Sequence, residues 1–312
     1  GDYKAAISSY EKALQYAHRS KYARIEAFIL TGIADIYMEL NAIDEAVDAY
    51  KQASSIAQRL NIQTLQVYLY VQQAVIACVK EDFPNSYRLI EQARALANQE
   101  NMAVEIHMCD LEFGGIKIKE GKPDQVLGLL EEASSFFESG GHKVQYQKAS
   151  LYLTLAYGQL GNHDMLFKHL LKILGCLNDE YPPTLLIATA NRYYDPLVKL
   201  RNFDYVEGQL ENLFNHITNF WNTLPDLRRY LRQHALAVLF APAVLHIRAL
   251  GKMQVRVNKR LITNSDFQTQ AARDLFFMLM AHPEGLNKEE IGAIFWPEAN
   301  ARDIKFRMKN TL

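Results

Sequence analysis

The feature that most constrains this chain is an apolar pattern that repeats every 40 residues over its first 240 positions. Within one period, apolar side chains recur at spacings of four and three, which places them on one face of an α-helix. Two rows in phase are Ala13, Ala53, Ala93, Ala133, Ile173 and Leu213, and Tyr10, Tyr50, Ile90, Leu130, Leu170 and Leu210. Six copies without an insertion predict an array of stacked helices.

A turn signal precedes each of these helices at the same interval of 40 residues. The dipeptides are Gly1-Asp2, Asn41-Ala42, Glu81-Asp82, Gly121-Lys122, Gly161-Asn162 and Arg201-Asn202. Gly and Asn tolerate the left-handed conformation that ends a helix. The other half of each period, for example 22–40 or 144–160, has a helical spacing of its own. Each period is therefore expected to contain two helices.

The segment Tyr10-x-x-Ala13 and its copies resemble the second helix of tetratricopeptide repeats, in which small residues let helices approach closely. The period of 40 is longer than the usual 34. It resembles the repeats of large bacterial transcription regulators of the maltose-activator type, a resemblance that would allow an ATPase module before residue 1. The expected fold class is mostly α, an α-α superhelix of about six 40-residue tetratricopeptide-like repeats over residues 1–240.

Prolines interrupt the pattern towards its end. Pro182 and Pro183 suit a helix start, whereas Pro196 lies within a helical pattern and should kink or end it. A helix from about Pro225 to Phe240 has no partner in phase. We expect it to cap the stack, since solenoids need a terminal element with one solvated face.

Superhelices of this kind have a concave surface, lined here by the first helix of each pair. Polar and aromatic candidates on it are Tyr68, His107, Tyr146, Arg192, Tyr193 and Arg228. They predict a groove for a peptide, a partner protein or a small inducer. The alternative is that the aromatic rings pack between helices and the polar groups are solvated.

The pattern changes after residue 240, and we expect a linker at 241–245. Alternating apolar positions around Ile247 and Val255 then predict short antiparallel strands. Helical spacing follows over 270–282, and Asn287-x-x-Glu290 is a capping box that opens a second helix. A third helix begins near Asn300 and has Ile304, Met308 and Leu312 on its apolar face.

This segment, 246–312, resembles the OmpR/PhoB-type winged-helix domain of the antibiotic-pathway activators called SARPs. The matching stretches are LHIRALGKMQVRVNKR, FQTQAARDLFFMLMAHPEG and LNKEEIGAIFWPEA. The resemblance implies a small, partial α/β winged-helix domain that binds duplex DNA with its third helix. It differs in two respects, because the sequence ends inside that helix and because the winged helix of SARPs precedes their tetratricopeptide-like region.

Basic and amide side chains of this segment are the candidate DNA contacts. They are Arg273, Lys288, Arg302, Lys305, Lys309 and Asn310. Lys and Arg neutralise phosphates or reach guanine, and Asn pairs with adenine. Arg273 and Lys288 also lie at helix N-termini, which favour anions. The alternative is an ordinary basic, solvated surface.

Composition adds two constraints. Residues 246–312 carry 11 Lys or Arg against 7 Asp or Glu, whereas the whole chain has a net charge of −1. The sequence contains no phosphate-binding glycine loop, no metalloprotease motif and no nucleophile elbow. Its three cysteines have no metal-type spacing. We therefore expect no catalytic residue, no metal and no cofactor.

Taken together, these observations predict a fragment of a bacterial-type transcription activator. Its solenoid would bind a protein, a peptide or a small inducer, and its winged helix would bind promoter DNA in the complete parent protein. No segment is long and apolar enough for a membrane span, so we expect a cytoplasmic protein. The alternative is a protein–protein interaction scaffold without DNA binding.

Overall fold

The computed structural model describes residues 2–177, 183–235, 245–248, 254–257, 260–262 and 269–311. The chain divides into two compact units, Gly1–Ala241 and Pro242–Leu312. Each unit is described by itself below.

The first unit begins with nine antiparallel helices of similar length. They are α1 (Tyr3–Arg19), α2 (Ala23–Glu39), α3 (Ile43–Arg59), α4 (Gln63–Val79), α5 (Phe83–Gln99), α6 (Ala103–Glu120), α7 (Leu127–Ser139), α8 (Lys143–Gln159) and α9 (His163–Leu177). A 3₁₀ turn, Pro123–Gln125, precedes α7. The expected α-α superhelix of tetratricopeptide type is confirmed.

One residue in a left-handed conformation recurs every 20 positions and separates these helices. The residues are Lys21, Asn41, Asn61, Glu81, Asn101, Gly121, Gly141 and Gly161, with φ between 49° and 82°. At Asn41, the amide donates to the Met38 carbonyl at 3.2 Å, and the next amide, of Ala42, donates to the Tyr37 carbonyl at 2.8 Å. These bonds satisfy carbonyls that a helix end leaves without partners. The 20-residue spacing of the turns gives most of these helices a length of 17 or 18 residues, and α7 and α9 are shorter, with 13 and 15 residues.

The core of the unit lies between successive helices. Ala53, Ala93 and Ala133 are completely buried, as are Ile173 and Leu213 in the same phase of the repeat. Small side chains at the first three positions allow close approach of the neighbouring helices. Gly114 has the same effect in α6, because a Cβ at this position would lie 2.3 Å from Cδ2 of Leu130 in α7.

The regular pattern ends after α9. Helix α10 (Thr184–Arg192) is followed by α11 (Tyr194–Lys199), a 3₁₀ turn (Leu200–Asn202) and α12 (Asp204–His234). Pro183 is the N-cap of α10, and Pro196 lies in the first turn of α11, so the helix is interrupted as expected. Pro182 and residues 236–240 lie outside the described residues.

The prediction that a separate helix begins at Pro225 is wrong, because α12 runs through this residue. Proline removes one intrahelical hydrogen bond. Here it is exposed, while Leu224 and Leu231 are buried in the core on either side of it. Burial of the apolar face holds the 31-residue helix together across the missing bond.

Helix α12 returns to the beginning of the unit. The ring of Phe220 lies 6.3 Å from that of Tyr3 in α1, and Arg228 hydrogen-bonds to the carbonyl oxygens of Leu40 and Asn41 at the end of α2. Lys4 lies over the ring of Tyr230 at 5.4 Å. The first and last helices of the superhelix are therefore in contact.

The second unit contains a three-stranded antiparallel sheet in the order β1 (Leu245–Arg248), β2 (Gln254–Val257), β3 (Arg260–Ile262). Ile247 pairs with Val255, which pairs with Ile262. Helices α13 (Gln270–Ala281), α14 (Lys288–Phe295) and α15 (Ala301–Thr311) follow. Strand β1 begins at Leu245, so the last residue of the expected linker belongs to the sheet.

The helices of the second unit pack around Leu275, Ile291 and Met308, with Ile304 against them. The capping box of α14 is formed, since the Asn287 side chain accepts from the Glu290 amide at 2.9 Å and the Glu290 side chain accepts from the Asn287 amide at 2.8 Å. Leu312 lies outside the described residues.

Candidate functional site inside the superhelix

The first unit contains a cavity of about 200 Å³ that is partly open to solvent. Its walls come from α4, α6, α8, α10 and α12 and from the end of α2. The lining residues are Asn41, Val75, Cys78, Val79, Glu112, Ile116, Lys119, Tyr152, Asn191, Arg192, Tyr193 and Trp221. Four of the five helices are first helices of a pair, as expected for the inner face of a superhelix.

One side of the cavity is a buried ion pair between Glu112 of α6 and Lys148 of α8. Their side chains are 8% and 14% exposed. The hydroxyl of Tyr152 donates to the same carboxylate at 3.3 Å. Burial lowers the pKa of Lys148, and the neighbouring Glu112 opposes this effect. The two charges satisfy each other, as a buried ion pair requires.

Two further residues of the lining, Lys119 and Arg192, are cationic. Lys119 of α6 donates from Nζ to the carbonyl oxygen of Arg192 at 3.1 Å, so it binds the end of α10. Arg192 donates from Nη2 to Oγ1 of Thr189 at 3.1 Å. Among the described residues, no carboxylate oxygen lies within 4.0 Å of Lys119 or Arg192. Both residues line the cavity, and the acid that Arg192 influences is Glu39, whose pKa it lowers, against the larger effect of burial, without forming an ion pair.

Aromatic rings complete the wall. The rings of Tyr152 and Tyr193 lie 5.1 Å apart, and burial raises the pKa of both phenols well above the usual value. Trp221 of α12 donates from Nε1 to the side-chain oxygen of Asn191 at 2.6 Å. Gly115 makes room for the tyrosines, because a Cβ there would lie 2.6 Å from Cζ of Tyr152.

Acidic groups lie in a neighbouring tyrosine-rich cluster. Asp35 accepts hydrogen bonds from the hydroxyls of Tyr50 at 2.6 Å and Tyr68 at 2.9 Å. Burial raises the pKa of Asp35 to about 6, although both hydrogen bonds oppose this shift. Glu39 accepts from the hydroxyl of Tyr3 at 2.7 Å, and burial also raises its pKa. Desolvation thus favours the neutral form of both carboxyls.

The residues proposed for the concave groove fall into separate places. Arg192 and Tyr193 line the cavity, and Tyr68 belongs to the Asp35 cluster. Arg228 binds the end of α2 instead. The remaining two pack between neighbouring helices. His107 has its ring 4.1 Å from that of Phe136, and Tyr146 donates to Glu138 at 2.7 Å.

The candidate DNA contacts are distributed over the three helices of the second unit. Arg273 in the first turn of α13 donates to Asp274 at 2.9 Å. Lys288 begins α14, and Arg302 and Lys305 lie on α15; all three are exposed. Lys309 and Asn310 belong to the backbone of α15, but their side chains lie outside the described residues. A pocket of about 360 Å³ between α14 and α15 is lined by both Lys288 and Lys305.

Several cavity residues were not among the sequence candidates, namely Lys119, Glu112, Asn191 and Trp221. Glu112 has the same phase of the 40-residue repeat as Tyr152 and Arg192, so the periodicity could have marked it, whereas Lys119, Asn191 and Trp221 each occupy a different phase. A local signal did exist in α6, where Gly114-Gly115 indicates close approach of other helices. Over the described residues, no helix could cross a membrane, and no group of three His, Cys, Asp or Glu could hold a metal.

Comparison with known proteins agrees with the fold. A tetratricopeptide-repeat family model matches residues 29–59. The 43 kDa receptor-associated protein of the synapse from Tetronarce californica is 23% identical over 190 residues, which cover 57% of this chain and 46% of that protein. The chain thus spans about half the length of this curated relative.

Two solved structures that are similar to parts of this chain are the following. The crystal structure of a Rap protein complexed with competence and sporulation factor has a TM-score of 0.53 and 17% identity, over 71% of each chain. BtubC (BKLC) from P. vanneervenii has a TM-score of 0.48 and 13% identity, over 80% of this chain and 100% of that chain. The first similarity extends the tetratricopeptide-type fold beyond the repeat that the family model matches.

Proposed function

We propose that the superhelix is a protein-interaction module that binds a peptide or a segment of a partner protein at its inner face. The observation that carries this proposal is the cavity between the first helices of several pairs, with Arg192, Tyr193 and Trp221 in its wall. Arginine, tyrosine and tryptophan side chains contribute much of the binding free energy at many protein interfaces. The structurally similar Rap protein was crystallised with competence and sporulation factor, which supports a ligand-binding role for such a superhelix.

The size of the cavity limits what enters it. A volume of about 200 Å³ is below the roughly 300–1,000 Å³ of pockets for drug-sized ligands. It therefore accepts one side chain or one terminus of a bound segment, and the rest of that segment lies outside. The module needs no catalytic group for this role.

Selection from a random displayed peptide library tests this proposal. We expect enriched peptides to bind the wild-type protein and to lose at least tenfold in affinity with Trp221→Ala. Tyr16→Ala is the matched control, since this aromatic side chain is 67% exposed and is not part of the cavity lining. No enrichment, or equal affinity for the Trp221 variant, would contradict the proposal.

We propose as a second function that residues 246–312 bind duplex DNA, which would make the protein part of a cytoplasmic transcription activator with its solenoid in residues 1–240. The supporting observation is an antiparallel sheet followed by three helices, with Arg302 and Lys305 exposed on the third. Under the alternative, the second unit serves a protein scaffold and has no affinity for DNA.

Salt dependence of duplex binding distinguishes these two possibilities. A phosphate contact by Lys305 predicts that Lys305→Ala weakens duplex binding and lowers its salt slope by about 1. Glu298→Ala, at another exposed position of this unit, should leave the slope unchanged. An unchanged slope for Lys305→Ala would exclude this phosphate contact, and an absence of duplex binding by the wild-type protein would favour the scaffold.

A further inference from the structure

We propose that the cavity of the superhelix recognises a carboxylate next to an aromatic or apolar group, with Arg192 as its principal ligand and Lys119 beside it. Such a carboxylate belongs either to a small organic acid or to the end of a peptide. The inference rests on the proposed function only in placing a ligand in this cavity, and it specifies the chemistry of that ligand.

The charges of the cavity wall are unbalanced. Three charged residues line the cavity, Glu112, Lys119 and Arg192. The negative one, Glu112, is already bound by Lys148 behind it. Its two cationic neighbours have no carboxylate within ion-pair distance in the described part of the chain. The wall therefore has an excess of positive charge in a partly desolvated site, where a charge is stabilised most strongly by a partner.

Neighbouring acids do not remove this excess. Asp35 and Glu39 are the acidic groups of the adjacent cluster, and both are held by tyrosine hydroxyls. Burial raises the pKa of each, although Arg192 acts on Glu39 in the opposite direction. Neither carboxylate forms an ion pair with Arg192.

The cavity wall also supplies hydrogen-bond donors. A guanidinium has five N–H groups in a fixed plane and binds a carboxylate with two parallel hydrogen bonds. Arg192 uses Nη2 for the Thr189 hydroxyl at 3.1 Å, which fixes its orientation and leaves further donors for a ligand. Lys119 holds the Arg192 carbonyl at 3.1 Å. Its ammonium thus lies beside the same helix end and adds positive charge there.

Apart from Asn41 and Asn191, the uncharged residues of the lining are apolar or aromatic. Val75, Val79 and Ile116 come from α4 and α6, and the indole of Trp221 comes from α12. With about 200 Å³ available, the site suits a small acid with one ring or one branched chain. An uncharged amide of the same shape lacks the negative charge that the two cations favour.

Phenylacetate and phenylacetamide are suitable probes, because they have nearly the same shape and differ in charge. The chain has two tryptophans, so a Trp296→Phe background leaves Trp221 as the fluorescent reporter in the cavity wall. At constant ionic strength, we expect saturable quenching by phenylacetate and at least tenfold weaker binding of phenylacetamide. Equal binding of the two compounds, or no binding of either, would overturn the carboxylate inference.

Variants of Arg192 test whether this residue causes the preference for phenylacetate over phenylacetamide. Arg192→Gln should abolish the preference for phenylacetate, and Arg192→Lys should retain part of it because the charge is kept but not the paired hydrogen bonds. Arg229→Gln is the control, since this arginine on α12 has a side chain that is 71% exposed. Circular dichroism checks that each variant is folded. A preference that survives Arg192→Gln would assign the anion to another group and refute the inference.

A comparison of peptides with free and blocked C-termini distinguishes a peptide terminus from a small organic acid as the source of the carboxylate. A library-selected peptide, synthesised with a free C-terminus and with an amidated one, should differ tenfold in affinity if its terminus enters the cavity. Equal affinity assigns the site to small acids. If the probe pair shows no charge preference while selected peptides still require Trp221, the carboxylate inference fails and the peptide-binding proposal stands. If phenylacetate binds more tightly than phenylacetamide but no peptide is enriched, the carboxylate inference stands and the peptide-binding proposal fails.

Discussion

Arg228 donates hydrogen bonds from Nε at 3.1 Å and from Nη2 at 2.8 Å to the carbonyl oxygen of Leu40, which precedes it by 188 residues. The same Nη2 donates to the Asn41 carbonyl at 2.8 Å. The final carbonyls of α2 have no partner within their own helix, so a cation from the last helix satisfies them. Because Asn41 also lines the cavity, contact between the two ends of the superhelix helps to form the site.

Replacement of Arg228 is expected to loosen this contact. Hydrogen bonds to charged groups contribute about 1.5–3 kcal/mol, so Arg228→Ala should destabilise the first unit by about 1–3 kcal/mol. Amide exchange measured by mass spectrometry should accelerate in α1 and α12 but not in α5. Arg229→Ala removes an exposed pair with Asp226 and should have almost no effect. Unchanged exchange in α1 would show that Arg228 does not hold the ends together.

Stability should depend on pH through Asp35. Its folded pKa of about 6 lies above the value of about 3.9 for an unfolded aspartate. The neutral carboxyl therefore stabilises the fold below pH 4, and this contribution is lost as the pH rises through 6. Urea unfolding between pH 4 and 8 should show a loss of about 1–3 kcal/mol in the wild type, after subtraction of the remaining titrating groups.

Asp35→Asn should remove this loss, because the amide oxygen still accepts from Tyr50 and Tyr68 and has no charge to desolvate. Above pH 7 the variant should equal or exceed the wild type in stability. The control is Asp226→Asn, at a position that is exposed. An identical pH profile for Asp35→Asn and the wild type would exclude Asp35 as the titrating group.

Substitution by alanine should change the stability of the first unit in opposite directions at two helical glycines, Gly114 and Gly128. A Cβ on Gly114 would lie 2.3 Å from the buried Leu130 side chain, and overpacking of this kind costs about 1–3 kcal/mol. Gly128 has no atom within 4 Å of an added Cβ, so Gly128→Ala should stabilise α7 by up to about 1 kcal/mol through helix propensity. Thermal unfolding of both variants compares them, and equal shifts would contradict the close approach of α6 and α7.

The left-handed turn at Glu81 offers a stabilising substitution. Its φ of 60° is unfavourable for a residue with a Cβ, and glycine avoids most of that cost. Glu81→Gly should raise the free energy of unfolding by about 1 kcal/mol. Glu132→Gly, at an exposed position within α7, should lower it by about the same amount. A decrease for both variants would mean that this turn does not require a left-handed residue.

Much of the first unit follows from local sequence rules, because each helix is defined by its own apolar spacing and by the turn that ends it. Asn41 and Gly121 were recognisable as turn residues, whereas Lys21 was not, since lysine has no particular preference for the left-handed region. Pro225 shows the limit of such rules. Its local tendency to end a helix is overcome by burial of Leu224 and Leu231, which only packing against the rest of the unit provides.

The amino-acid sequence by itself determined the number, phase and approximate lengths of the repeat helices, because these depend on spacings of three, four and 20 residues along the chain. Tertiary structure decided how far the superhelix curves, and hence that α12 reaches α1 and α2. It also brought Lys119, Arg192 and Trp221 together from three helices. Their positions share no period, so only the accumulated rotation of the stacked pairs makes them neighbours.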